Sequence, residues 1–200
     1  MSKINKLTAL FETKFLSLYN AEYSNKSGSI KNWIIASRKN KAELEDVYFN
    51  GKKLHDDAVL IVPYHKEQEK IVVIKQFRVP INSYIYELPA GLIDKGENCT
   101  NSIKRELKEE TGLDLVNIIE EKLKSNLYLS PGMTDEAVTA TFCTCSGTLS
   151  RNFMEEDEDI EPVLLSQEEV KELLKTDVKF DIKCYILLKQ FAELGREMFE

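Results

Sequence analysis

The stretch that decides the fold is residues 91–113, GLIDKGENCTNSIKRELKEETGL. Asn98 or Thr100 offers a side chain that caps a helix N-terminus, and Gly112 stands where a left-handed residue commonly ends a helix. The residues between about 101 and 111 therefore predict a short helix that follows a loop.

Three carboxylates lie on one side of this predicted helix. At about 100° per residue, Glu106 and Glu110 are about 40° apart around the axis, and Glu109 falls beside Glu106. Ile103 and Leu107, one turn apart, form an apolar stripe that can pack against a sheet. Like charges at this spacing repel by about 0.2–0.5 kcal/mol per pair unless a cation lies among them. Because hard cations prefer carboxylate oxygen, this face is a candidate Mg²⁺ site, with Mn²⁺ as the alternative.

The competing interpretation is an exposed helix in which Lys104 and Lys108 neutralise the glutamates in solution. The flanking residues favour the metal site. Glu97 follows Gly91 after five residues, and the segment RELKEETGL at 105–113 follows Glu97 after seven. This series resembles the Nudix box at every fixed position. The resemblance implies a hydrolase of nucleoside diphosphates linked to another group, with a divalent metal on this helix.

Composition sets the broad class of the protein. Two hundred residues, 42% hydrophobic and 30% charged, predict one soluble globular domain with a modest addition. No apolar run approaches the ~20 residues that span a bilayer, and the N-terminus lacks the apolar core of a secretory signal, so a cytoplasmic protein without a membrane partner is expected. The net charge of −7 disfavours a nucleic-acid partner, which needs clustered Lys and Arg.

The order of elements predicts the fold. Residues 1–52 form short extended segments between polar turns, with strands expected near 15–23 and 32–38. From residue 58, AVLIVPYH and IVVIKQF predict buried strands. Further strands are expected at 84–88, 115–119, 124–129, 137–145 and 163–165, and helices at 167–175 and 181–199. Strands framed by helices indicate an α/β fold, a mixed sheet in an α/β/α sandwich at 53–200, preceded by a small β-rich region at 1–52; the Nudix resemblance implies the same sandwich.

Three motifs outside the box narrow the resemblance. KQFR at 75–78, ELPAG at 87–91, and SPG at 130–132 with Glu136 four residues later resemble the ADP-ribose pyrophosphatase branch of the Nudix family. That branch implies hydrolysis of ADP-ribose to AMP and ribose 5-phosphate. It also implies a homodimer formed through the N-terminal region, which contributes to the adenine pocket.

The resemblance assigns roles to residues of the box. Glu106 and Glu110 match the principal metal ligands, and Glu109 matches a further ligand or water binder. The Ala90 carbonyl resembles a main-chain metal ligand of some members. Arg105 either pairs with a neighbouring carboxylate and orients it or contacts phosphate, and we expect the orienting role. Glu97 is similarly expected to close the loop onto the helix.

The substrate-binding candidates follow from the same branch. Trp33, with Arg38 five residues later, matches an adenine-stacking tryptophan and a phosphate-facing arginine. A purine stacks well on indole, and a guanidinium presents a planar fork to phosphate. The alternative for Trp33 is a core anchor of the small β-rich region. Arg78 matches a second diphosphate clamp, with a surface salt bridge as its alternative. The remaining candidates belong to the SPG loop: Gly132, Met133 and Glu136.

The general base is expected in an acidic run. Six of the seven residues 155–161 are acidic, a pattern that is typical of a solvated loop. The branch places a catalytic glutamate just before the strand that precedes the penultimate helix, and Glu158 has that position. Glu156 and Glu161 are the competing candidates.

Two other functions stay open at this point. One keeps the chemistry and changes the substrate to another nucleotide sugar or dinucleotide, such as ADP-glucose or NADH. The other is a Nudix module that senses ADP-ribose without cleaving it. Such a module is expected to show an eroded acidic helix or an added basic domain, whereas the box here is intact.

Overall fold

The computed structural model describes residues 2–154 and 158–200. The chain forms two compact units, which are Met1–Asp57 with Asn126–Val138, and Ala58–Ser125 with Thr139–Glu200. The division of the sequence at residues 52 and 53 stays a prediction. The two compact units differ from that division in one respect, which is that residues 126–138 group with the N-terminal region.

The first unit contains a three-stranded antiparallel sheet in the order β1, β2, β3 and one helix. Its elements are β1 (Lys3–Glu12), β2 (Ser17–Ser24), β3 (Ile30–Ser37) and α1 (Lys41–Asn50). Strands β2 and β3 match the two expected extended segments. The region is therefore β-rich, as predicted, with a helix added.

Helix α1 is not predicted by the sequence pattern. Asn40 caps it by accepting a hydrogen bond from the Glu43 N–H, and Gly51 ends it in the left-handed conformation at φ 72°. Leu44 is its one fully buried residue, and it packs with Leu7 and Tyr19 of the sheet. A helix that buries so few positions lacks the repeated apolar spacing by which amphipathic helices are predicted.

The larger sheet has eight strands in the central order β11, β5, β4, β10, β8, with β6 beside β5, β7 beside β4 and β9 beside β10. Its strands are β4 (Ala58–His65), β5 (Lys70–Arg78), β6 (Ser83–Glu87), β7 (Ala90–Leu92), β8 (Asp114–Ile118), β9 (Lys124–Tyr128), β10 (Ala137–Ser146) and β11 (Ile160–Leu165). Three helices accompany it: α2 (Cys99–Thr111), α3 (Gln167–Leu173) and α4 (Ile182–Leu194). The predicted mixed sheet with helices is confirmed.

The side chains of strand β4 pack against helices on both faces of this sheet. All eight of its residues are buried, as expected for a strand with both faces covered. Ile61 packs in a cluster with Leu107 of α2. Tyr64, which points to the opposite face by alternation, stacks on Phe199 and tilts against Phe191 of α4, with ring centroids 4.7 and 6.3 Å away. The α/β/α sandwich follows from this alternation.

Strand β7 corrects the expectation of a plain loop before the acidic helix. Ala90 and Gly91 pair antiparallel with Leu60 and Val59 of β4. Only three residues take part, and a glycine lies among them, so local propensity does not reveal the strand. This pairing fixes the backbone next to α2.

Within residues 2–154 and 158–200, no helix is long and apolar enough to cross a membrane.

Candidate active site

Helix α2 begins two residues earlier than the sequence pattern suggests. The Asn98 side chain accepts a hydrogen bond from the Asn101 N–H at 2.9 Å, so Asn98 is the cap. The helix ends at Gly112 with φ 77°, where the Gly112 N–H donates to the Lys108 carbonyl. A Cβ at this position would lie 2.6 Å from atoms of Ser150, so both the conformation and the space require glycine.

The apolar stripe of α2 holds its acidic side against the sheet. Ile103 and Leu107 are fully buried in the main core cluster. Glu106 and Glu110 are also buried, with 8% and 3% of their surface exposed. The Glu109 side chain is more open, with 33% exposed. The helix therefore presents two sheltered carboxylates and one at the edge.

Glu110 is the most deeply placed carboxylate of the helix. One of its oxygens accepts a hydrogen bond from the Ala90 N–H of β7 at 3.0 Å. Burial raises the pKa of Glu110 well above its ordinary value; the Ala90 N–H lowers it, and the charges of Glu106 and Glu158 raise it further. The Ala90 carbonyl as a metal ligand stays a prediction, while its N–H has an observed role.

Gly91 leaves room for the Glu106 carboxylate. A Cβ built on Gly91 would stand 2.0 Å from the carboxyl carbon of Glu106. No side-chain atom fits in that space without displacing the carboxylate. The first glycine of the box is therefore required by close approach of the β7 backbone to α2.

Arg105 ties three carboxylates together. Its Nη1 lies 2.7 Å from Glu106 Oε1 and 3.0 Å from Glu109 Oε2, and its Nη2 lies 3.0 Å from Glu97 Oε2. Nη2 also donates to the Leu92 carbonyl at 2.9 Å. This geometry suits the orienting role expected for Arg105, because the guanidinium is already engaged by the loop and the helix.

Glu97 closes the loop before the helix onto α2. One of its oxygens accepts hydrogen bonds from the Ser102 hydroxyl at 2.7 Å and the Asp94 N–H at 3.3 Å. The pKa of Glu97 is lowered to about 2, mainly by its hydrogen bond from Arg105 and next by the one from the Ser102 hydroxyl. The carboxylate is therefore held charged as a fixed link.

The structure brings Glu158 near the acidic side of α2. Its charge raises the pKa of both Glu106 and Glu110, in each case after the larger effect of burial. Glu161 lies on β11 and forms an ion pair with Lys75 at 3.9 Å, with 54% of its side chain exposed. Glu156 lies outside the described residues.

Arg78 is paired with a carboxylate of the adjacent strand. Its Nε lies 2.6 Å from Glu87 Oε2, and 45% of its side chain is exposed. Its charge also lowers the pKa of Glu110, which places it within electrostatic range of the helix. Arg78 thus forms the salt bridge considered in the sequence while keeping an exposed guanidinium near the carboxylates.

The first unit assembles the other substrate-binding candidates. The Trp33 indole N–H donates to the Gly132 carbonyl at 3.1 Å, and Arg38 Nε lies 2.9 Å from Glu136 Oε1. Trp33 is 52% exposed, so it is not a buried core anchor. Trp33, Gly132 and Met133 line a cavity of about 490 Å³ in this unit. Three tyrosines also line the cavity: Tyr23, Tyr48 and Tyr128.

Comparisons with known proteins identify the family. The family described as "NUDIX domain" matches residues 54–188, which is more than half of the chain. The chain belongs to the Nudix hydrolase family.

The names of similar Nudix proteins refer to more than one nucleoside diphosphate substrate. The chain is 32% identical over 142 residues to an ADP-ribose pyrophosphatase of Bacillus subtilis, covering 68% of this chain and 75% of that protein. It is 33% identical over 160 residues to a GDP-mannose pyrophosphatase of an Enterobacter species, covering 75% and 78%. It is 37% identical over 119 residues to putative nudix hydrolase 2 of Caenorhabditis elegans, covering 56% of this chain and about half, 52%, of that protein.

A solved structure supports the fold of this Nudix hydrolase. The crystal structure of an ADP compounds hydrolase superimposes with a TM-score of 0.69 over 98% of this chain and 96% of that chain. The sequence identity is 17%, so the likeness concerns the fold alone.

Nudix hydrolases use divalent metals, and the donor set of α2 suits one. In the two described ranges, 2–154 and 158–200, no three His, Cys, Asp or Glu side chains already converge as a metal cluster. Arg105 engages oxygens of Glu106 and Glu109. However, Glu106 and Glu110 are sheltered oxygen donors whose pKa values are raised by burial and by neighbouring carboxylates. A hard cation among them would relieve this repulsion.

Some residues of the site lack a signal in the sequence. The cavity tyrosines at 23, 48 and 128 are far apart along the chain and meet only through folding. Tyr84, whose hydroxyl donates to the Asp159 carboxylate, is also missed. In the sequence it is marked only by lying on the expected strand at 84–88, which leads into the ELPAG motif.

Proposed function

We propose that this Nudix hydrolase cleaves the diphosphate of ADP-ribose with Mg²⁺, giving AMP and ribose 5-phosphate. The observation that carries the proposal is the acidic side of α2, where Glu106 and Glu110 are buried and Glu158 lies within electrostatic range of both. The B. subtilis relative named ADP-ribose pyrophosphatase supports the choice of substrate.

In this proposal the helix holds the metal. Glu106 and Glu110 are the principal ligands, Glu109 is a further ligand or binds a metal water, and the Ala90 carbonyl completes the set. When bound, the divalent cation neutralises phosphate charge and lowers the pKa of a coordinated water. Arg105 keeps Glu106 and Glu109 oriented through its 2.7 and 3.0 Å contacts.

The proposed proton acceptor is Glu158. Water attacks one phosphorus, the bridging P–O bond breaks, and the proton of the water passes to the Glu158 carboxylate. The leaving phosphate oxygen keeps the electron pair.

Binding of the substrate is assigned to other side chains. Trp33 stacks on the adenine, supported by its exposed indole, whose N–H is fixed by the Gly132 carbonyl. Arg38 and Arg78 contact the diphosphate, supported by their half-exposed guanidinium groups. The remaining proposed contacts come from Gly132, Met133 and Glu136.

We also propose that the protein is a homodimer joined through the first unit. Phe11 pairs with Leu18 across β1 and β2, and Ile34 extends the same face on β3. These three side chains are 65%, 38% and 53% exposed. Exposed large apolar side chains grouped on one sheet face are typical of an interface. Sedimentation of the wild type and of Leu18→Glu tests it, since a wild-type monomer would contradict the proposal.

A substrate panel tests the proposed function. ADP-ribose, ADP-glucose, GDP-mannose and NADH are incubated with Mg²⁺ and, separately, with Mn²⁺, and AMP or GMP release is measured. We expect ADP-ribose with Mg²⁺ to give the highest kcat/KM. Preference for a different sugar nucleotide would move the assignment to the nucleotide-sugar alternative, which the GDP-mannose pyrophosphatase relative supports. Binding of ADP-ribose without hydrolysis of any compound would support the sensing module instead.

A further inference from the structure

The point where the acidic segment meets β11 is fixed by two neighbouring strands. Asp159, the residue before β11, accepts a hydrogen bond at its carbonyl from the Phe77 N–H of β5 at 3.1 Å. Its carboxylate accepts a hydrogen bond from the Tyr84 hydroxyl of β6. The Tyr84 ring packs edge-on against Phe77, with centroids 5.5 Å apart. Asp159 is therefore held through both its backbone and its side chain.

The strand register explains how these residues meet. Phe77 pairs with Tyr84, and Gln76 pairs with Ile160. Asp159 is therefore the next position opposite Phe77. Paired residues on adjacent antiparallel strands project to the same face. Asp159, Phe77 and Tyr84 consequently form one row across three strands.

Alternation along this segment directs Glu158 to the other face. Leu164 of β11 packs on the core cluster that includes the apolar side of α2. Glu161 points away from it and is exposed. Because successive residues of an extended chain point to opposite faces, Glu158 shares the side of Leu164, and Asp159 shares the side of Glu161.

We propose that Tyr84 is a positioning residue that directs Glu158 towards the carboxylates of α2 by holding Asp159 on the opposite face of the sheet. The inference rests on the proposed function, in which Glu158 accepts the proton of the attacking water. A slip of one residue would exchange the faces of Glu158 and Asp159.

The strand register sets these faces, and the Tyr84 contact reinforces them at the acidic end of β11. Glu158 lies near Glu106 and Glu110, whose like charges repel it. Its neighbour Asp159 carries the same charge and differs by one methylene group, so electrostatics alone does not select between them. The Tyr84 hydroxyl adds to the selection made by the strand register, since it binds one of the two carboxylates on the far face. Its hydrogen bond to Asp159 raises the pKa of Tyr84.

Removal of one hydroxyl tests the inference. Tyr84→Phe keeps the ring contact with Phe77 and deletes the hydrogen bond. We expect kcat for ADP-ribose with Mg²⁺ to fall about tenfold, as for a misplaced general base, while KM stays within about twofold. Tyr86→Phe is the matched control, because Tyr86 lies on the same strand and face and packs on Phe180. Its kcat is expected to equal that of the wild type.

Hydrogen exchange tests the Tyr84–Asp159 hydrogen bond without metal or turnover. Amide hydrogen exchange of residues 158–160 in the metal-free protein should be faster in Tyr84→Phe than in Tyr86→Phe, with equal thermal midpoints. Asp159→Asn keeps an acceptor for the hydroxyl, so it should lower kcat less than Asp159→Ala does. Unchanged exchange in Tyr84→Phe would contradict the tether.

A double-variant comparison separates this inference from the proposed function. Glu158→Gln is expected to lower kcat about 100-fold or more. Adding Tyr84→Phe should then cause no further loss, because the carboxylate it positions is gone. An equal loss in both backgrounds, or wild-type kcat in Tyr84→Phe beside an inactive Glu158→Gln, would overturn the role of Tyr84 and leave the base standing. A fully active Glu158→Gln would reject the base and the role of Tyr84 together.

Discussion

The acidic side of α2 and the Trp33 cavity are built in opposite ways. Glu97, Arg105, Glu106, Glu109 and Glu110 lie within fourteen consecutive residues, and their contacts follow from one capped helix and its preceding loop. In the first unit, Trp33 meets Gly132 across 99 positions, and Arg38 meets Glu136 across 98. The first arrangement is local, and the second depends on long-range folding. The proposed metal ligands of the helix are thus encoded in a short motif, while the proposed substrate contacts are spread over distant segments.

If this contrast is correct, the largest effect comes from a carboxylate of the helix. Glu110→Gln should lower kcat about 1000-fold or more, because it removes a buried carboxylate that we propose as a metal ligand. The fold should persist, since a neutral amide replaces a carboxylate whose burial raises its pKa. Turnover and circular dichroism check this, with the exposed Glu168→Gln on α3 as the control. An active Glu110→Gln protein would contradict the metal assignment.

A smaller effect is expected from the backbone that faces the helix. Gly91→Ala would place a Cβ where the Glu106 carboxylate lies. The displaced ligand should lower kcat about 100-fold, the loss that a shift of about 1 Å in an active site produces. A crystal structure of the variant should show a moved Glu106 side chain. Unchanged kcat would mean that the Glu106 position is not critical to turnover.

The cavity should respond in KM rather than in kcat. Trp33→Ala should raise KM for ADP-ribose about 5- to 150-fold, since loss of base stacking costs about 1–3 kcal/mol. Trp33→Phe keeps an aromatic surface and should raise KM less. The comparison fails if Trp33→Ala lowers kcat while leaving KM unchanged, because the two regions would then share one role.

The smallest effect is expected at Glu169, which lies outside both regions and serves as a reference for the changes in kcat and KM. The Ser166 N–H, and then Lys70, lower the pKa of Glu169 to about 2, from an ordinary value of 4.5. Because the folded pKa is depressed, the stabilisation is complete above about pH 4.5 and is lost as pH falls through about 2. Glu169→Gln should cost about 0.5 kcal/mol or less at pH 7, with kcat and KM unchanged. Denaturant unfolding should show this difference vanish near pH 2.

The sequence predicts what depends on local spacing. The cap and end of α2, its buried stripe and the alternation of β10 follow from periodicity and from Asn and Gly positions. Helix α1 escapes prediction because it buries only Leu44, and β7 because its three residues are defined by pairing with β4. The candidate bases at 156, 158 and 161 look alike in sequence. The pairing of β11 with β5 places residue 161 on the exposed side, and only folding supplies that register.

The discontinuous first unit has a consequence for synthesis of the chain. The Ala36 N–H donates to the Met133 carbonyl at 2.9 Å, and the Lys39 ammonium contacts both Asp57 and Asp135. The contacts with Met133 and Asp135 require residues that the ribosome adds almost eighty positions after Asp57. The N-terminal sheet consequently emerges before the segment that completes its unit, which becomes available only when residue 138 has left the exit tunnel.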